Sequence, residues 1–352
     1  MKKIMNTVAG MVAVAFALMS STAIAELERT HFKIVGENSA GLNYKILEKP
    51  LWEEWIPEAS NGQVTGDMLP FDQVGLDNAT ILRLLKQGAM DIGTTDAARL
   101  AADDARFEGM DLAGMAITID DARKAVDAYR PILNQIMEES WNVKVLFWGP
   151  AVPQVFWCQV PIEGLADLKG RKIRVWNKTM VDFLDGIGAT AVNISFPEVV
   201  PALQRGVVDC AVTGTMSGNT AGWGEVTSHL YPMYMGWAIR FTAINLDTWA
   251  RITPEVRSFL LDEFSKYEDK YWDVMDKASQ EAENCNFGKQ PCEMGNLLNL
   301  TKISVNPEEK AIHKTIMETG VLNGWAKRAG PAAAEEWNAT VGKVFGLTAP
   351  TQ

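Results

Sequence analysis

Histidine is nearly missing: His31, His229 and His313 are the only three in 352 residues. They are scattered and lack metal-ligand spacing, so a zinc site has no footing. A Ser/His/Asp or Cys/His catalytic group is equally invisible. Basic residues are also short, 33 Lys and Arg against 44 Asp and Glu, for a net charge of −11. That balance argues against nucleic acid and against anionic lipid as partners. A small anionic ligand stays compatible with it, because a local pocket can oppose the global field. Long apolar runs are absent: Val8–Met19 is too short for a spanning helix of ~20 residues. No later segment is apolar enough to insert in a bilayer, and no repeat or low-complexity tract follows.

What is present begins with export. Lys2 and Lys3, the apolar run and the small residues Ser20 to Ala25 form the pattern of a secretory signal peptide over residues 1–25. Cleavage is expected after Ala25. No cysteine opens the mature chain, so a lipid anchor is not expected. The product is expected to be soluble and periplasmic, and it is long enough for two domains.

Export permits disulfides. Cys285 and Cys292 bracket the loop NFGKQP behind a long helical segment and are expected to pair. Cys158 and Cys210 fall in predicted strands. Buried free thiols and a bridge both remain open for them.

Strands alternate with helices. His31–Val35, Gln63–Leu69 and Met90–Thr94 read as strands, with a helix over Asn78–Gln87. After a helix at Asp121–Glu139 and a strand at Val143–Trp148, the alternation restarts at Val155. This order predicts βαβ units and mostly parallel sheets. The fold expected is α/β and two-lobed, each lobe a mostly parallel sheet flanked by helices. The turn-rich stretch Gly149–Pro153 is expected to cross between lobes, and Tyr231–Asn245 to cross back. Lobe I then takes 26–151 and 238–277, lobe II takes 152–237 and 278–330, and 331–352 form a C-terminal tail. Glu255–Glu283 and Pro307–Ala326 carry helical apolar spacing.

Ligands of open α/β sheets bind beyond the carboxyl ends of the strands. Those ends carry Glu37, Asn38 and Ser39; Thr94, Thr95 and Asp96; Arg174 and Asn177; and Thr213 and Thr215. Two ends come from each expected lobe, which places a polar cleft between them. Arg174 at a strand mouth matches a carboxylate through its planar fork, or else pairs with a structural acid. A charge-assisted hydrogen bond nets only ~1.5–3 kcal/mol, whereas micromolar binding needs about 8 kcal/mol. Enclosure by the lobes has to supply the rest. Trp176, beside Arg174, is the tryptophan best placed to reach the pocket, and core packing is the alternative for each of the others.

At these residues the chain resembles a known family. The run LADLKGRKIRV, then Asn177, then SFPEVVPALQRGVVD, is similar to substrate-binding proteins of tripartite ATP-independent periplasmic (TRAP) transporters of the C4-dicarboxylate-binding type. QVGLDNATILRLLKQGAMDIG resembles the family's first-lobe segment. The resemblance implies two α/β lobes that close on ligand and then dock on TRAP membrane subunits. It maps the main carboxylate salt bridge onto Arg174, a pocket Asn onto Asn177, a pocket Phe onto Phe196, and polar pocket positions onto Asp96 and Glu37. No cofactor and no enzymatic activity are implied. The chain departs from the pattern at Gln154, where many members carry a second arginine, and at Thr213, where an Asn is common. Both changes favour a monocarboxylate, with Glu37 and Asp96 meeting hydroxyl or amino groups. A binding protein of an ATP-driven importer, a sensor subunit and a secreted enzyme using carboxylate pairs are the alternatives.

Overall fold

The computed structural model describes residues 27–352, so the expected leader lies outside the described residues. Among the described residues no helix is long and apolar enough to cross a membrane. Two sheets form the frame. The first contains β1 (Thr30–Gly36), β2 (Val64–Pro70), β3 (Ile92–Asp96), β4 (Val143–Gly149) and β10 (Arg240–Asn245), in the order β2-β1-β3-β10-β4. The second contains β5 (Gln154–Cys158), β6 (Lys172–Val175), β7 (Thr190–Asn193), β8 (Cys210–Gly214), β9 (His229–Tyr231) and β11 (Thr301–Lys302), in the order β11-β9-β5-β8-β6-β7.

Each sheet is parallel except for one strand. β10 runs antiparallel to both β3 and β4, and β5 runs antiparallel to both β8 and β9. The reversal follows from the chain path: both strands begin just after a crossing, so each enters its sheet from the cleft side. Their first residues, Gln154 and Arg240, therefore sit at the edge where the parallel strands end.

The two crossings support each other. Ala151 N–H donates to the Trp237 carbonyl, Gln154 N–H to the Gly236 carbonyl, and Met235 N–H to the Gln154 carbonyl. Asp111 pins the returning strand from the first lobe, its carboxylate accepting from Trp237 N–H at 2.9 Å and Ala238 N–H at 2.8 Å. Ala238 there has φ 53°, a left-handed conformation that a non-glycine side chain keeps only when surrounding bonds over-determine it.

Local signals start and stop the flanking helices. Asp77 caps Asn78–Lys86 by accepting from Thr80 N–H. Thr118 and Asp121 form a reciprocal capping box for Ile119–Trp141, which ends at left-handed Asn142. Helix Pro254–Asn286 has 33 residues, about 50 Å at 1.5 Å per residue, and touches both lobes. Its Phe264, Tyr267 and Tyr271 rings pack on Phe147 of β4. Its last residue, Asn286, donates to the Thr215 carbonyl of the second lobe and accepts from Asn219.

Both cysteine pairs are bridged, Cys158–Cys210 and Cys285–Cys292. The first follows from register, because Cys158 stands directly opposite Cys210 between β5 and β8. Residues 331–352, expected as a tail, are helical from Pro331 to Trp337, and Trp337 is fully buried. Its indole N–H donates to the Gly109 carbonyl, and that of Trp325 donates to the Ala105 carbonyl. Arg328 pairs at once with Glu108 of the first lobe and Asp182 of the second.

Candidate ligand-binding cleft

The carboxyl ends of both sheets face a cavity of about 650 Å³, within the size range of small-molecule sites. Glu37, Asp96, Gln154, Arg174, Trp176, Phe196 and Thr213 all line it. Asn177 is not among the lining residues. Its side chain caps helix Lys178–Ile187, accepting from Met180 N–H at 2.9 Å and from the Thr179 hydroxyl at 3.2 Å. An Asn right after a strand serves a helix start as readily as a ligand, and here the helix start takes it.

Arg174 lies on β6 between β7 and β8 and is 1% exposed. Its Nε donates to the Ile194 carbonyl at 2.9 Å and its Nη1 to the Val212 carbonyl at 2.8 Å. No carboxylate pairs with it among the described residues, and its buried Nη2 has no partner. Its guanidinium lies 5.5 Å from the centre of the Trp223 ring, and Phe196 stacks on the same indole at 5.4 Å. Burial, with nearby Arg99 second, pulls the Arg174 pKa well below the usual arginine range. A dry, half-satisfied cation of this kind calls for an anion.

Gln154 has a structural task. Its amide donates to the Val152 carbonyl, and its oxygen accepts from the Trp176 indole at 3.3 Å. Trp176 is thereby fixed under Arg99, whose guanidinium sits 5.1 Å from its ring centre. Arg99 also lines the cavity. It has no salt-bridge partner among the described residues, its Nε is unpartnered, and burial lowers its pKa. The cavity thus holds a second unpaired cation although position 154, where many members carry a second arginine, is Gln. Sequence reading passed over Arg99 because it lies in a short turn, Ala97–Leu100, three residues past the strand-end acid Asp96.

The first-lobe wall is acidic. Arg240 Nε donates to Asp96 at 2.8 Å, and its Nη2 lies 3.5 Å from Glu37. The second Asp96 oxygen accepts from Asn78 at 3.0 Å. Behind this wall, buried Glu48 accepts from Glu37 N–H at 2.8 Å. Burial pushes the Glu37 carboxyl up to about 8, against Arg240 and with the help of Asp96 and Glu48. Burial likewise raises Glu48 to about 7. Arg240 also rises, for a different reason: burial opposes its charge, but Glu37 and Asp96 outweigh burial and lift its pKa well above normal.

A larger cavity of about 770 Å³ lies at the crossing, lined by Met115, Met233, Met317 and His313. Its Lys302 and Lys314 are already paired with Glu283 and Glu318. Its Lys310 is unpaired among the described residues but exposed, whereas the unpaired cations with buried nitrogens, Arg174 and Arg99, line the inter-lobe cavity.

Two α/β lobes, paired crossings and a polar cleft between the strand ends define a two-lobed solute-binding protein. The profile of the DctP family, bacterial extracellular solute-binding protein family 7, matches residues 37–300, and the chain belongs to that family. Its sequence is 22% identical over 216 residues to YiiZ, an uncharacterised protein of Salmonella typhimurium, covering 58% of this chain and 65% of YiiZ. It is 23% identical over 248 residues to a solute-binding protein of Roseobacter denitrificans, covering 68% of this chain and 73% of that protein. Among solved structures it is similar to DctP7 of Bordetella pertussis, an extracytoplasmic receptor binding pyroglutamic acid. The TM-score is 0.76 at 21% identity, covering 88% of this chain and 98% of that one. A TRAP periplasmic solute-binding protein of Desulfovibrio salexigens with bound orotic acid also gives 0.76, at 19% identity, covering 90% and 98%.

Proposed function

We propose that this protein is the extracytoplasmic receptor of a TRAP-type transporter and captures an organic carboxylate between its lobes. The reading rests on Arg174, a buried guanidinium facing the inter-lobe cavity with one nitrogen unpartnered and no acid beside it. The ligand carboxylate sits on Arg174 from the second lobe and meets Arg99 from the first, so binding draws the lobes together. Phe196 and Trp176 wall the ligand, and Glu37 with Asp96 meets its polar remainder. Similar proteins hold small acids: DctP7 pyroglutamic acid, the Desulfovibrio protein orotic acid, and a Haemophilus influenzae TRAP protein L-gulonate. The expected export leader and the family support a periplasmic location, and the closed form presents its surface to TRAP membrane subunits. Lobe I takes 26–151 and 238–277 and lobe II takes 152–237 and 278–330, with the packed helices after Pro331 joining lobe I.

A thermal-shift screen against organic acids tests this, since a ligand bound only by the folded state raises the melting temperature. At least one carboxylate is expected to shift the wild type, and Arg174→Ala is expected to abolish that shift. The expected loss is about 2–5 kcal/mol, because the buried ligand charge loses its second-lobe partner and keeps only Arg99. Unchanged affinity in Arg174→Ala would overturn the assignment.

A further inference from the structure

The cavity carries two kinds of charged group. Arg174, on the second-lobe wall, and Arg99, on the first, have no salt-bridge partner among the described residues, and each keeps a buried guanidinium nitrogen unpartnered. Glu37, Asp96 and Glu48, also on the first-lobe side, outnumber the one guanidinium that serves them, Arg240. Asp96 is used up: one oxygen takes Arg240 and the other takes Asn78. Glu48 lies behind the wall and holds Glu37 N–H. Glu37 is left as the available group. It lines the cavity, is 3% exposed, and its Oε1 has no partner.

Resting on the carboxylate reading above, we infer that the ligand is a zwitterion: its carboxylate lies on Arg174 and Arg99, and its protonated amino or imino nitrogen lies on Glu37. A hydroxyl could donate to Glu37 Oε1 but, being neutral, could not hold Glu37 as a carboxylate beside Asp96 and Glu48. A second ligand carboxylate would oppose that ionisation. An ammonium group both donates and compensates, in a wall from which water is largely excluded. The same polarity fixes orientation, since the reversed ligand would place like charges together at both ends.

The test is binding of matched sets that differ in one group: L-alanine, L-lactate and propionate; L-aspartate, L-malate and succinate; L-phenylalanine, L-phenyllactate and 3-phenylpropionate; L-proline and tetrahydrofuran-2-carboxylate. Thermal shift ranks them, and calorimetry measures Kd for those that bind. In any set that binds, the amino or imino acid is expected to be at least tenfold tighter than its hydroxy, ether or deoxy partner. Glu37→Gln is expected to shrink that gap to threefold or less. A hydroxy, ether or deoxy acid that binds as tightly as its nitrogen partner overturns the zwitterion and leaves the carboxylate reading standing. A preference that survives Glu37→Gln overturns the role given to Glu37. If Glu37→Gln does not fold, the wild-type ranking decides alone. Failure of every carboxylate overturns both readings.

Discussion

Arg99 and Arg174 sit on aromatic faces rather than on acids, Arg99 over Trp176 and Arg174 over Trp223. An indole holds a guanidinium in place without neutralising it, so neither has an acid in salt-bridge contact to compete with a ligand. Arg99→Gln is therefore expected to cost about 1.5–3 kcal/mol of ligand affinity, a ten- to hundredfold rise in Kd by calorimetry. A Kd within twofold of wild type would remove Arg99 from the site. Asn177→Ala should behave differently. Losing the cap is expected to lower stability by ~1 kcal/mol in denaturant, while Kd changes far less than in Arg174→Ala. At this scale the sequence showed the strand-end residues, because a charged side chain at a strand mouth stands out from apolar neighbours. It could not separate Asn177 as cap from Asn177 as ligand, since both uses need the same residue in the same place. Arg240 was illegible for another reason: its partner Asp96 lies 144 residues away, opposite it across β3 and β10.

Among the elements, the crossings decide how the lobes relate. Helix positions were readable because caps and apolar spacing are local: the predicted Asp121–Glu139 lies inside the observed Ile119–Trp141. The direction of β5 and β10 was not readable, since an antiparallel strand carries the same side-chain alternation as a parallel one. The Cys158–Cys210 bridge was undecidable for the same reason, because pairing depends on register between strands distant in sequence. What holds the returning crossing is Asp111, buried and bonded to the Trp237 and Ala238 amides. Removing its carboxylate leaves two buried N–H groups without that acceptor, beside a residue already at φ 53°. Asp111→Ala is expected to destabilise the protein by about 2–4 kcal/mol in urea unfolding. A loss under about 1 kcal/mol would mean that the crossing holds itself through its own ladder.

Across the whole molecule, three buried acids tie stability to pH. Burial raises Glu37 to about 8 and Glu48 to about 7 from an ordinary 4.5. It raises Asp111 to about 7 from 3.8, against hydrogen bonds from the Trp237 and Ala238 amides. In the unfolded chain these groups lose their protons near their ordinary values. The folded protein keeps them until about pH 7–8. Between those limits the folded state binds more protons than the unfolded state, so stability falls as pH rises, by roughly 1.4 kcal/mol per pH unit for each retained proton. The unliganded protein is therefore expected to melt highest near pH 5 and progressively lower toward pH 8. Rising net negative charge pushes in the same direction, so a single variant has to isolate the buried acids. Glu37→Gln cannot ionise, and its melting curve is expected to fall less steeply than wild type between pH 5 and 8. A wild-type melting temperature that rises through this range, or a slope unaltered by Glu37→Gln, would show that Glu37 is already ionised in the unliganded protein. The direction also bears on transport: a ligand that supplies positive charge to the Glu37 wall relieves the same excess, so its stabilising effect should grow toward pH 8, where the unliganded cleft is weakest.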